Sequence, residues 1–203
     1  MNKRPSALSF VILGLLQEAR MHPYEMQRLL KERGKDRVLG VEQRSSFYQA
    51  IRRLERDGLI AVHETVQSSS RPGRTVYEIT ENGRADFHRW LRAMLSAPRE
   101  VFPEFPVAIS YLPLLDVGEA VSLLEARREA LAATLAETES ALAEGGAFLH
   151  RLMLLEEELR RAVVAAELAW LTGLIDDLHS GALTWSPELI AEQIARFSPP
   201  SAD

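Results

Sequence analysis

Arg44, Arg52, Arg53 and Arg56 fall within the segment "RSSFYQAIRRLER", beside Ser45, Ser46, Tyr48 and Gln49. Guanidiniums, hydroxyls and an amide are the groups that bind phosphate oxygens and base edges. Arginine favours guanine and glutamine favours adenine, so Gln49 and Arg52 are the candidates for base edges. Arg44, Ser45, Ser46 and Tyr48 are candidates for phosphates, together with Arg71 and Arg74 in "QSSSRPGR". Each residue also has a plainer reading. The arginines can be solvated or paired with Glu55 and Asp57, the serines can cap a helix, and Tyr48 can pack under a neighbouring element.

Those side chains need a rigid support, and the same segment supplies one. Phe47, Ile51 and Leu54 recur at helical spacing, so 44–57 reads as a helix with one apolar edge and one cationic face. Gly58 stops it. Upstream, "ALSFVILGLL" is apolar on most sides. It is too short to span a membrane, and although it resembles the core of a signal peptide it reads as a buried first helix over 6–18. A second helix starts at Pro23, which suits a first helical turn, and runs to about Arg33. Gly34 and Gly40 bracket a polar loop. "LIAVHETV" (59–66) and "TVYEI" (75–79) read as strands of a hairpin, with Pro72-Gly73 as the expected tip. Thr80 is the expected N-cap of a fourth helix carrying Phe87, Trp90, Leu91, Met94 and Leu95, although Gly83 stands where a capping box wants Glu or Gln.

Helix, helix, helix, strand, wing, strand, helix is the order of a winged helix-turn-helix, in which the second helix of the turn enters the DNA major groove. Charge agrees. Residues 1–95 hold 17 Lys/Arg against 11 Asp/Glu, and residues 96–203 hold 7 against 18, within an overall charge of −5. A cationic half is drawn to a polyanion; the anionic half is not.

"SAPREVFPEFP" (96–106) is the expected linker. Beyond it the chain reads as helical. Val117, Val121, Leu124, Arg128, Leu131, Leu135, Thr138 and Leu142 alternate at spacings of four and three, a heptad seam over a helix of about 116–143. Gly145-Gly146 breaks it. A second long helix, about 147–180, carries Leu152, Leu155, Leu159, Val163, Ala166, Trp170, Leu174 and Leu178, and Gly181 ends it. Val117, Val121, Leu124, Leu131, Leu135, Leu142, Leu159, Val163 and Trp170 are the expected dimer contacts, since most soluble oligomers are symmetric pairs. A bundle closed within one monomer is the alternative. A short helix (187–196) and a loose tail (199–203) complete the reading. The expected fold is therefore mostly α: a winged helix-turn-helix (1–95), a linker (96–106), and an all-α dimerisation domain of long antiparallel, coiled-coil-like helices (107–198).

"LGLLQEARMHPYEMQRLL", "SFYQAIRRLERDGLI" and "GRTVYEITENGR" resemble the successive motifs of PadR-family transcriptional regulators. "FPVAISYLPLLDVGEAVSLLEARREALAATL" is similar to the C-terminal helical domain of that family's long subfamily, shared with virulence activators. The resemblance implies a cytoplasmic, nucleoid-associated homodimeric repressor. It would bind a palindromic double-stranded operator and leave it when a small, often aromatic, effector binds. It also implies that an aromatic residue of the fourth helix lines an effector pocket; Trp90 is in that position, and a packed core tryptophan is the alternative. The chain departs from the family pattern where Pro23 replaces a glycine and where Ser45-Ser46-Phe47-Tyr48-Gln49 stands in place of Gly-Thr-Leu-Tyr-Pro; Tyr48 carries over, and Gln49 replaces the proline.

Enzyme chemistry is not expected. The chain has no cysteine, which removes thiolate metal sites and cysteine nucleophiles. His22, His63, His88, His150 and His179 lack metal-ligand spacing, and no phosphate loop or dinucleotide motif occurs. No cofactor or metal is called for, and Glu156, Glu157 and Glu158 read as a solvated helix face. A winged module that binds protein in place of DNA is the competing functional class.

Overall fold

Ser6 opens the first helix: its hydroxyl accepts from Ser9 N at 3.2 Å, the capping bond an orphan N–H requires. The computed structural model describes residues 6–34, 44–68, 71–98 and 103–197, with backbone alone at 44–45, 65–68, 71–74 and 197. The chain divides into two compact units, 1–100 and 101–203.

In the first unit, α1 (Ala7–Glu18) is the centre of the core, with Ile12 and Leu13 fully buried. α2 (Pro23–Glu32) begins with proline at its first turn, and His22 Nδ1 accepts from Tyr24 N at 3.1 Å. α3 (Arg44–Arg56) buries Phe47, Ala50, Ile51 and Leu54, each 4% exposed or less. It ends where Leu59 N bonds Leu54 O and Gly58 N bonds Glu55 O, with Gly58 at φ 70°. That is the Schellman closure, and the left-handed residue explains the glycine. The apolar run near the N-terminus is α1, a core helix; among the described residues no helix is long and apolar enough to cross a membrane.

β1 (Ile60–Ser68) and β2 (Arg71–Ile79) pair antiparallel, from Ile60 opposite Ile79 to Ser68 opposite Arg71. This corrects the expected tip. Pro72-Gly73 lies inside β2, and residues 69–70 lie outside the described residues. Proline is tolerated there because that stretch of β2 has β1 on one side only, so its missing N–H need not leave a ladder bond unmade. At its other end β2 gains a second neighbour: Met21 and Tyr77 exchange backbone bonds of 3.1 and 3.0 Å.

α4 (Glu81–Ser96) starts as expected, with Thr80 Oγ1 accepting from Gly83 N at 3.0 Å and donating to Gly58 O at 2.8 Å. Gly83 is explained by space. A Cβ there would sit 2.0 Å from the Leu59 carbonyl oxygen, so no side chain fits and the capping box is impossible. Phe10 of α1 stacks on Phe87 of α4 at 4.6 Å, which fixes α4 across α1.

The second unit begins with α5 (Glu104–Ser110), whose first turn overlaps the end of the segment expected to be linker. After a short 3₁₀ turn, α6 (Val117–Gly146) and α7 (Leu155–Ser180) form an antiparallel hairpin, followed by α8 (Pro187–Phe197). α6 runs through Gly145, whose added Cβ would lie 2.9 Å from Leu154 Cδ2, the movable end of a side chain just before α7. Trp185 Nε1 donates to Leu115 O at 2.8 Å, tying the segment before α8 to the start of α6. Residues 199–203, expected to be loose, lie outside the described residues.

Gly83→Ala should destabilise the winged unit by about 1–3 kcal/mol, the usual cost of forcing volume into a filled site. Chemical denaturation read as the shift in midpoint at constant slope checks it.

Candidate nucleic-acid interface

α3 is held by its apolar edge and therefore cannot choose which face it shows. With Phe47, Ala50, Ile51 and Leu54 buried, Ser46, Tyr48, Gln49, Arg52, Arg53 and Arg56 are exposed together. Tyr48 is 43% exposed and meets only the edge of Phe47, at 6.3 Å, so it does not pack under the wing. Arg56 is paired with Asp57 at 3.0 Å. Arg52 and Arg53 have no ion pair with any described residue, which leaves their guanidiniums available to an outside anion. The backbones of Arg44 and Ser45 lie on the first turn of α3, and those of Arg71 and Arg74 on β2 opposite Ser68 and Val66; their side chains lie outside the described residues.

The wing is aimed by residues that the sequence reading did not single out. Tyr77 is half-buried, and burial pushes its phenol above the ordinary range; Glu55 adds to the rise and Arg52 opposes it. Its ring packs against the core of the winged unit. On the opposite face of β2, Glu78 accepts from Arg20 Nε at 2.8 Å and lies 3.3 Å from His63 Nδ1. Together with the Met21–Tyr77 bridge, these contacts fix β2 to the connection between α1 and α2. Alternation along "TVYEI" was the available signal: Tyr77 and Glu78 must face opposite ways on a strand. Glu18 and Arg33 close a further tie, at 2.6 and 2.7 Å, between α1 and the end of α2.

The expected dimer contacts separate into two groups. Leu124 is 4% exposed and packs with Leu171, Ile175 and Leu178, and Val117, Val121 and Leu131 pack against the same cluster. Leu135 and Leu142 are half-buried on that face. Within one chain, this part of the α6 heptad packs against α7. Leu159, Val163 and Trp170 are 66%, 58% and 52% exposed, and with Leu155 and Ala166 they form a stripe on the outer side of α7. Trp90 is 8% exposed and belongs to the core of the winged unit. Glu157 and Glu158 do not form a solvated run; both are half-buried, within 3.5 Å of Arg160 and 2.8 Å of Arg151 respectively. Among the described residues no group of side chains could hold a metal ion.

Residues 12–89, from within α1 to within α4, match the Transcriptional regulator PadR-like family. The winged unit is a PadR-like domain. It is 26% identical over 121 residues to the negative transcriptional regulator PadR of Bacillus subtilis (strain 168), covering 58% of this chain and 63% of that protein. The chain thus spans less than two thirds of that relative's length. Two crystal structures of Bacillus subtilis PadR are similar in fold. The one in complex with operator DNA has a TM-score of 0.66 at 20% identity, over 84% of this chain and 98% of that one. The one in complex with p-coumaric acid has a TM-score of 0.68 at 19% identity, over 85% and 98%. The Vibrio cholerae virulence activator AphA has a TM-score of 0.64 at 18% identity, over 86% and 99%. At these identities the likeness is one of fold, and it includes the helical unit that follows the PadR-like domain.

Because Tyr48 and Arg52 are exposed and support no packing, Tyr48→Ala and Arg52→Ala should each leave stability within about 0.5 kcal/mol of the parent. Ile51→Ala, three residues from Tyr48 and next to Arg52 but buried, should cost about 2–5 kcal/mol. Thermal and denaturant unfolding of the three variants reads the contrast.

Proposed function

We propose that this PadR-family chain is a homodimeric, sequence-specific DNA-binding regulator, acting as a repressor that a small aromatic molecule releases from its operator. The observation that carries the reading is the exposed face of α3, where Tyr48, Gln49, Arg52 and Arg53 stand together and the two guanidiniums have no ion pair with any described residue, on a helix whose other edge is buried. A guanidinium that no carboxylate neutralises keeps its charge for phosphate or for the O6/N7 edge of guanine. We assign Gln49 and Arg52 to bases, and Arg44, Ser45, Ser46, Tyr48, Arg71 and Arg74 to the backbone. The operator-bound fold relative supports the assignment.

Homodimerisation is supported by a different feature. α7 has two apolar faces: Leu171, Ile175 and Leu178 meet α6, and Leu155, Leu159, Val163 and Trp170 meet nothing in their own unit that buries them. A helix apolar on two sides needs two neighbours. A two-fold pair would present two α3 helices to two half-sites about one helical turn apart. Repression and release are supported by the B. subtilis relative's description and by its complex with p-coumaric acid.

Duplex binding should weaken steeply with salt, since the slope of log K against log salt is about −0.9 per phosphate neutralised on B-DNA. Tyr48→Ala and Arg52→Ala should reduce binding at ~150 mM salt at least tenfold, and Arg71→Ala should flatten the slope by about one contact. Normal binding by both α3 variants would remove the assignment. For the dimer, Leu159→Glu with Val163→Glu should yield a folded monomer by sedimentation, whereas Leu124→Glu should unfold the hairpin. A dimer surviving the double change would place the pairing surface elsewhere.

A further inference from the structure

The helical unit contains a cavity of about 450 Å³ lined by Pro103, Phe105, Pro106, Ile109, Arg127, Glu167 and Trp170. That volume lies within the range of small-molecule sites, which pair apolar walls with a few placed polar groups. Phe105 and Trp170 form the aromatic walls, their rings edge to face at 6.2 Å and 82°. Trp170 is 52% exposed, so part of its indole is open to a flat partner. The polar groups are a single ion pair. Arg127 lies 3.6 Å from the centre of the Phe105 ring, its Nε donates to Glu167 Oε1 at 2.9 Å, and its Nη2 donates to the same oxygen. Both strong donors therefore converge on one carboxylate oxygen. Arg127 Nη1 and Glu167 Oε2 are left with no partner among the described residues.

We propose that this cavity is a ligand site for a planar aromatic molecule whose ring edge donates and accepts a hydrogen bond at once. Charge balance selects that edge. A carboxylate would satisfy Arg127 Nη1 but stand beside Glu167, and an ammonium would satisfy Glu167 Oε2 but stand beside Arg127. A neutral edge that accepts from Nη1 and donates to Oε2 offends neither. An amino-substituted heteroaromatic ring and a phenol share this property. The ring would stack on the open part of Trp170, with Phe105 and Ile109 covering its apolar side. The site deepens the regulator reading and rests on it for its consequence. Trp170 borders the cavity and also stands on the outer stripe of α7 assigned above to the second copy, so filling the cavity alters the surface that the partner meets.

Calorimetric titration of the full chain with adenine and with phenol, up to millimolar concentration, tests the site. Saturable binding of either probe at one site per chain is expected, and the probe that binds identifies the source of the edge. Glu167→Gln should weaken that binding at least tenfold, and anisole, which has lost the donor, should bind correspondingly less well than phenol. Absence of saturation by both probes, equal binding by Glu167→Gln, or anisole binding as tightly as phenol overturns the proposal. Duplex binding of the unliganded protein is measured alongside. A chain that binds a probe but no duplex refutes the regulator reading and leaves the site; a chain that binds duplex but no probe refutes the site alone.

Discussion

The burial of one edge of α3 against α1 is the constraint on which the rest depends. Phe47, Ile51 and Leu54 each contribute about 1.5–3 kcal/mol when removed from water, and together they permit one rotation of the helix about its axis. Turning α3 by half a turn would bury Arg52 and Arg53 without partners, at a cost no small core can carry. The cationic face is exposed because the apolar edge must be hidden. The wing follows from the same logic. Tyr77 packs against the core, Glu78 holds Arg20 on the other face of β2, and the Met21 backbone closes the sheet edge, so α3 and the hairpin are fixed to a common frame.

The helical unit obeys a second constraint, the number of apolar faces on α7. One is spent on α6. The other runs along Leu155, Leu159, Val163 and Trp170, and water is a poor neighbour for it. An isologous pair is the economical cover, because a two-fold contact presents the same stripe to itself. The acidic excess of this half keeps it from competing with the winged unit for DNA, since like charges repel the helices from the phosphate backbone. The cationic winged half and the anionic helical half are thus separated along the chain by electrostatic sign.

Much of the fold was legible in the sequence where one local rule dominates. Pro23, Gly58, Thr80 and Gly181 mark helix ends, and each does so for the capping reason its residue type suggests. The apolar spacing of α3 gave its exposed face without any tertiary information. What failed to be legible depends on contacts between distant residues. Pro72-Gly73 looked like a turn, but the register is set by the pairing of Ser68 with Arg71. Gly83 looked like a defect in a cap until the Leu59 carbonyl occupied its side-chain space. The heptad through Leu124 was real, yet periodicity does not say whether the partner helix belongs to the same chain or to another. Arg127 and Glu167 lie forty residues apart, and no spacing rule connects them. Of the candidate site, the α3 residues were readable from pattern alone, whereas Tyr77 and Glu78 required the strand pairing.

Selection of bound duplexes from a random pool, at ~150 mM salt and with unliganded protein, tests most directly whether the α3 face reads DNA. A short enriched motif with two-fold symmetry is the predicted result, with the strongest preference confined to positions one helical turn apart. A pool that emerges unenriched, or whose recovery is indifferent to salt, would contradict the account.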